Sequence, residues 1–557
     1  MKHYNKNVAK ALALSLATNI ATFYFNASNL VAQTVNSTIN INATGNGGPD
    51  VKYMRGTGGP GQNGFYDSQQ SRDYLSTQTQ VGHKLINCIR NLYKDPSKGE
   101  FYLENGVAKQ KQVAAFTDLR KYAKDLNMVI VSQVGGTPQN VGYTIDPNFE
   151  NWSTEPNDYA PLPATGTSMT KFQNNFAQWA IDADKAVGTN FHSVWIGTQE
   201  IAHTIGHPVG LPFDDNAKKT NIRRYVEYWK PINDKLRQAG AKTGGIQLNS
   251  SNSDKYEYCV DYMVSKSLQV DYLTLQFYQW GDKLQVGKAF EALKKYRLTY
   301  PNTLLYIDRG MYTKEGDGNV SGVSGETFNL LIGEKSLMDN ANLVWGYTLD
   351  TGFNMFGPNS DFPLSTGWKT RVWLNTSGDK RRPLTNLPSG VDGFVTTTTK
   401  KLRAAIWNSS TQTHNVSLKI ANGNYTSTSK VKVQRASGDK LEVITANWNA
   451  STQTISGFTL ANSQFVLIDI DNATTTAKVG VEETAKPKVY PNPVKETIRV
   501  SGNEKIDYLV LQDFSGKQIK KVIGQPEMNV KNIKNGAYLL GIKKQGQKVD
   551  FQKIIKE

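Results

Sequence analysis

The sequence predicts an α/β protein: a (β/α)8 barrel over 33–379, a β-sandwich over 380–472 and a small all-β domain over 487–557. Three observations carry this. Eight short runs rich in β-branched or aromatic residues recur between 51 and 347, with helical periodicity in most gaps. From about 380 the helical period vanishes and strand-length runs follow one another at sandwich spacing. A polar segment over 473–486, poor in large apolar side chains, then separates a last set of alternating runs. With 557 residues the chain has length for several domains.

The eight runs lie at 51–55, 85–92, 128–133, 193–198, 245–248, 270–277, 304–307 and 343–347. Helical patterns fall at 116–126, 176–187, 222–239, 287–297 and 327–338. The 222–239 pattern is the clearest. Ile222, Tyr225, Val226, Trp229, Ile232 and Leu236 recur at helical spacing and Gly240 stops it. This count and size suit a closed barrel. A doubly wound open sheet is the alternative, but no GxGxxG or GxxxxGK[ST] opens a helix, so its usual nucleotide site is missing. The glycines of 56–64 are read as a substrate-side loop. Sandwich strands are expected at 401–407, 416–420, 430–433, 442–446, 454–458 and 465–470. The last domain is expected to place strands at 497–500, 508–511, 537–542 and 549–554, with turns at Ser515-Gly516 and Asn535-Gly536.

Composition narrows the function classes. Apolar residues at 38% and 47 glycines, 26 tyrosines and 10 tryptophans describe a folded chain. The formal charge is +16. Residues 1–32 account for +3 and residues 473–557 for +7, which leaves a mildly basic body of +6. No Lys/Arg block is interleaved with aromatics, so no nucleic-acid partner is expected. A basic start, the apolar stretch 11–32 and small residues near Ala32 read as a signal peptide over 1–32. No later apolar run reaches the length of a membrane span. Two cysteines, Cys88 and Cys259, exclude a disulfide scaffold, and their spacing does not say whether they pair. His203 and His207 lie four apart, but Pro208 follows and no third ligand has a fixed spacing. No metal and no cofactor are expected.

In a barrel the chemistry sits at the C-terminal ends of the strands. In chain order those ends offer Arg55; Arg90, Asn91 and Tyr93; Gln133; Gln199, Glu200, His203 and His207; Gln247 and Asn249; Gln276, Tyr278, Gln279 and Trp280; Asp308, Arg309 and Tyr312; and Trp345, Tyr347 and Asp350. Amides and carboxylates bind sugar hydroxyls, and aromatic faces suit the C–H-rich faces of sugar rings. Glu200 and Asp308 fall on strands four and seven, on opposing walls. Glycoside hydrolysis needs two such carboxylates, one to protonate the leaving oxygen and one to attack or to activate water. Arg55, Arg90, Gln199, His203, Asn249, Gln276, Tyr278, Trp280, Trp345 and Asp350 are expected to bind substrate, with Asp350 also the reserve second carboxylate. Trp195 is expected inside the barrel.

The layout resembles the clan of glycoside hydrolases with an acid/base on strand four and a nucleophile on strand seven. That clan includes β-xylosidase, agarase and porphyranase families. The matching positions are Arg90, Gln199 before Glu200, Tyr278 and Trp345. The resemblance implies a polysaccharide hydrolase, endo-acting, with an algal galactan as one candidate substrate. Two positions depart from the pattern. The amide is Gln199 where the clan has Asn, and strand seven carries Asp308 where the clan has Glu. Aspartate is shorter by about 1.5 Å, one C–C bond. That shift bears on retention, with carboxyls about 5–5.5 Å apart, against inversion, with about 6.5–9.5 Å.

The C-terminal region carries Tyr490-Pro491-Asn492-Pro493, then Leu511, Asp513 and Gly516, then Asn535-Gly536-Ala537-Tyr538, and a basic end at 553–556. It resembles the C-terminal sorting domain of the type IX secretion pathway. That implies export through the periplasm and outer membrane by the type IX machinery, to the cell surface or beyond.

Overall fold

The computed structural model describes residues 34–58, 69–80, 82–88, 101–104, 107–110, 113–133, 149–150, 166–188, 193–197, 207–208, 212, 214–276, 283–310, 322–349, 366–437, 440–471, 489–490, 493–500, 506–513, 518–544 and 550–557. By internal contacts the chain divides into two units, 1–473 and 474–557.

The first unit holds a closed barrel of eight parallel strands: Met54–Gly58, Leu85–Cys88, Val129–Gln133, Val194–Ile196, Lys242–Asn249, Tyr272–Gln276, Leu304–Gly310 and Val344–Leu349. They pair in chain order, and strand eight closes on strand one with Tyr347 opposite Arg55. Every expected barrel strand has its counterpart. A helix follows each strand: Gln69–Gln80, Val113–Asp125, Thr167–Val187, Asp215–Gln238, Tyr256–Ser265, Lys283–Arg297, Gly322–Met338 and Thr366–Asn375. The long fourth helix is capped by Asp214, whose Oδ1 accepts from the Ala217 amide at 2.9 Å. It buries the predicted stripe of Ile222, Tyr225, Val226, Trp229, Ile232 and Leu236.

Strand alternation sorts side chains into two cores. Leu85, Val131, Val194, Ile196, Tyr272 and Tyr306 fill the lumen, with Met54, Val129, Leu304 and Trp345 packed on them. The opposite faces meet the helices in the larger core, which includes Tyr53, Trp195, Leu273, Leu275, Leu305, Ile307 and Tyr347. Trp195 is therefore not a lumen residue. Its ring packs edge-on to Phe176 and Trp179 of the third helix, and its Nε1 donates to Asp184 at 2.9 Å. Its paired neighbour Ser132 shares that outer face, where it accepts from buried Arg120 at 2.7 Å.

The sandwich packs a five-stranded sheet on a six-stranded one. Its core joins Ile39 and Ile41 with Val395, Leu402, Ala404, Ile406, Leu418 and Ile468. Thr34–Asn42 belongs here, paired in parallel with Thr413–Ala421 over its whole length. The sandwich thus recruits a strand from the start of a segment that the sequence assigns wholly to the barrel. The second face of the six-stranded sheet is also apolar. Phe394, Ala405, Trp407, Phe465 and Leu467 join the barrel's helix-side core beside Trp373 and Leu374. Arg403 and the Trp373 indole both bind Asp469, at 2.7 and 3.0 Å.

The second unit has a three-stranded and a four-stranded antiparallel sheet around Val494, Ile498, Leu509, Leu511, Met528, Leu540, Ile542 and Ile554. All four expected strands are present, as Thr497–Val500, Ile506–Gln512, Gly536–Lys544 and Asp550–Lys556. The chain end is tied back, with the Glu557 amide donating to the Val494 carbonyl at 2.9 Å.

Candidate active site

The lumen changes character from floor to rim. At the floor, Trp345 lies 4.1 Å from Tyr272, centroid to centroid, with planes 22° apart, and meets Tyr306 edge-on. Tyr272 opens its strand and Trp345 is second in its own, so this is the N-terminal end of the barrel. Trp345 is thus part of the barrel floor, not a sugar platform at the C-terminal rim. Gly346 beside it has no room for a side chain, since a Cβ there would lie 2.5 Å from Leu85 Cδ1.

Towards the C-terminal ends the lumen turns polar. Asp308 is fully buried there, four residues into strand seven. The Asn87 amide from strand two hydrogen-bonds its Oδ1. The Gln247 amide from strand five donates to its Oδ2 at 2.9 Å. The hydroxyls of Tyr306 and Thr348 reach Oδ1 at 3.3 and 3.5 Å and lie 3.0 Å apart. Donors from strands two, five, seven and eight therefore converge on one carboxylate and fix its orientation.

Gln247 reaches inward because strand five is irregular. The register slips between Ile246 and Leu248, and Gln247 takes a left-handed φ of 46°. A non-glycine residue held there is strained, and such strain collects at functional sites. Gln276 ends strand six in register with Asp308, on the same face, and is fully buried. Asn249 ends strand five in register with Gln276.

Arg55 goes elsewhere. It faces the helix layer, where its Nε donates to Glu334 at 2.8 Å and its terminal nitrogen forms an ion pair with the same oxygen. The Tyr53 and Tyr347 hydroxyls donate to Glu334 at 2.6 and 2.7 Å. Burial, the largest single effect, opposes the Arg55 charge, but Glu334 together with Tyr53 and Tyr347 outweighs it and lifts the guanidinium pKa above its usual range. Arg55 therefore holds the seam between strands one and eight to the seventh helix and does not meet the lumen. The reason is strand parity: Met54 points in, so Arg55 points out.

Of the other expected site residues, Arg90, Gln199, Glu200, His203, Tyr278, Trp280 and Asp350 lie outside the described residues, as does the glycine-rich stretch from 59 to 64. The structure brings Asp308 and Gln276 together at the rim of the lumen. It adds Asn87, Tyr306 and Thr348, which the strand-end reading passed over. Their signal was parity: each stands an even number of residues from a lumen residue of its own strand, or follows a bulge.

Among the described residues no group of three His, Cys, Asp or Glu is placed to hold a metal. No described helix is long and apolar enough to cross a membrane. Cys259 is free and buried, and burial pushes its thiol pKa well up.

Residues 488–557 match the family of the secretion system C-terminal sorting domain. No curated protein matches the chain. Several solved structures share the fold of the first unit. A β-xylosidase of family GH39 from Caulobacter crescentus superposes with a TM-score of 0.55 at 11% identity, over 78% of this chain and 99% of that one. A glucosidase from Croceicoccus marinus gives 0.54 at 11% identity, over 79% and 99%. A bifunctional glucanase-xylanase from a metagenome library gives 0.51 at 13%, over 79% and 100%. At such identities the likeness establishes the fold alone. The sorting domain indicates secretion to the cell surface or exterior. The chain thus couples a glycosidase-like (β/α)8 barrel to a type IX secretion sorting domain.

Proposed function

We propose that the chain is a secreted glycoside hydrolase that cleaves O-glycosidic bonds within a polysaccharide. Glu200 is the general acid/base and Asp308 the second carboxylate, either as nucleophile or as the base that activates water. The observation that carries this reading is a buried carboxylate in the uppermost lumen layer, on strand seven of a closed barrel, ringed by amides and hydroxyls. A carboxylate fixed by several donors loses little on orienting for reaction. The likeness of the barrel to solved glycosidases supports the reaction class. The galactan reading rests on the sequence resemblance and the mildly basic body.

A binding protein on the same barrel is the second reading. It is favoured by one observation: both Asp308 oxygens are already engaged by side chains of the chain itself. The two readings part in one experiment. The secreted protein and Glu200→Gln are assayed for reducing ends on neutral and sulfated polysaccharides. The hydrolase reading expects release by the wild type and a loss of about 10²–10⁴-fold in the variant. Binding of a glycan by both, with release by neither, would establish the binding protein.

A further inference from the structure

The two edges of the larger sheet in the sorting domain are finished differently. That sheet runs in the order Gln518–Ile523, Ile506–Gln512, Gly536–Lys544, Asp550–Lys556. The chain itself seals the last strand. Val494 bridges Lys556, the Val494 amide donates to the Ile555 carbonyl at 2.7 Å, and the Glu557 amide donates to the Val494 carbonyl at 2.9 Å. The first strand, Gln518–Ile523, has no described strand beyond it. Its inner side is fixed: the Gly524 amide donates to the Asp507 carbonyl at 2.9 Å, and Val522 pairs with Leu509. Main-chain groups alternate sides along an antiparallel ladder, so Lys521 and Ile523 direct theirs to the open edge.

The side chains of this edge suit a partner better than water. Four large apolar side chains are well exposed among the described residues, and two of them are Ile519 and Ile523, at 40% and 75%. Val522 between them turns towards the domain core. One exposed isoleucine is ordinary, but two on an unpaired edge make a template for another strand. Lys520 and Lys521 are exposed as well, and the strand carries no acid. The Lys521 ammonium lies 4.2 Å from the centroid of the Tyr508 ring. Two copies paired edge to edge would set these lysines against one another, which disfavours a second copy as the occupant. An extended segment that alternates apolar and acidic residues answers every feature. Its carboxylates meet the lysines, its apolar side chains meet the isoleucines, and its main chain completes the ladder.

We propose that Gln518–Ile523 is the edge by which the sorting domain docks onto a protein of the type IX machinery, taking an extended, acidic and apolar segment of that partner as an added strand. The inference does not depend on the hydrolase reading.

The test uses the full chain and two variants. Lys521→Pro removes an outward main-chain donor and leaves the inner ladder in place. The double variant Ile519→Lys, Ile523→Lys removes the apolar contacts and adds two positive charges, so a purely electrostatic attraction to an acidic strand would grow. Limited proteolysis of the sorting domain checks that each variant is folded. Binding of a short labelled peptide alternating valine and glutamate is followed by fluorescence anisotropy, against the same peptide with lysine for glutamate. Export is followed in a host that carries the type IX machinery. The proposal expects the acidic peptide to bind at least tenfold more tightly than the basic one. It expects each folded variant to lose tenfold or more in that binding, and to reach the cell surface or medium at least tenfold less. No preference for the acidic peptide, undiminished binding by a folded variant, or normal export of both folded variants would overturn it. So would sedimentation of the wild type as a dimer that either variant splits, which would give the edge to a second copy.

Discussion

Two buried carboxylates, one on each side of the barrel wall, divide the molecule's polar chemistry. Glu334 faces the wall from the helix layer and Asp308 lies in the lumen, and both are fully buried. Glu334 is closed: one guanidinium and two phenols bind it, and the charge is matched. Among the described residues, Asp308 is held by neutral amides and hydroxyls, and its neighbours keep open acceptors. A closed cluster serves the fold, because everything it can bond is already present. A cluster with open valences fits the proposed role in binding a ligand.

The largest effect expected from that contrast is on stability at Glu334. Glu334→Ala leaves Arg55 buried without its counter-ion and should cost about 3–5 kcal/mol. A urea titration against the wild type measures this. A cost below about 1 kcal/mol, the range of a surface pair, would show that the cluster is not the seam's lock.

A smaller effect sharpens the same contrast on the outer side. His83 is buried between Gln78, 2.8 Å from Nδ1, and Arg371, 3.3 Å from Nε2. Burial first, and the Arg371 charge second, push its pKa well below the usual 6.5. The folded chain therefore keeps His83 neutral where the unfolded chain protonates it. Stability is full above pH 6.5 and falls as pH drops below it, by up to about 1.4 kcal/mol per pH unit from this residue. His414, whose pKa burial also lowers, adds in the same direction. Melting from pH 7.5 to 5 should show the fall, and it should be shallower in His83→Gln. A slope that His83→Gln leaves unchanged would assign it elsewhere.

The sequence made the barrel legible and its site only in part, for one reason. Barrel strands buried on both faces read as continuous β-branched runs, and all eight were visible. Thr34–Asn42 was not, because its Thr, Ser and Asn positions mask the alternation of Ile39 and Ile41. Helices Gln69–Gln80, Tyr256–Ser265 and Thr366–Asn375 have no counterpart among the five helical patterns; the first is polar, and little more than Leu75 anchors it. The site depends on which way each strand-end residue points, and that follows parity. Arg55 and Asp308 were equally good candidates as residue types, yet one faces the helices and the other the lumen. Bulges then break parity. The slip in strand eight turns Trp345 inward and Tyr347 outward although they stand two apart. The slip in strand five aims Gln247 at Asp308. Gly346, an isolated glycine inside the strand-eight run, is the local signal of the first slip.

In the proposed division the lumen carboxylate does the chemistry and the outer one holds the barrel together. Asp308→Asn and Glu334→Ala, measured side by side for melting and for reducing-end release per folded molecule on whichever polysaccharide the wild type cleaves, test it most directly. The account predicts that Asp308→Asn melts near the wild type and loses about 10²–10⁴-fold in release, while Glu334→Ala melts early and cleaves normally when folded. Unchanged release by Asp308→Asn, or a release defect in folded Glu334→Ala, would contradict it.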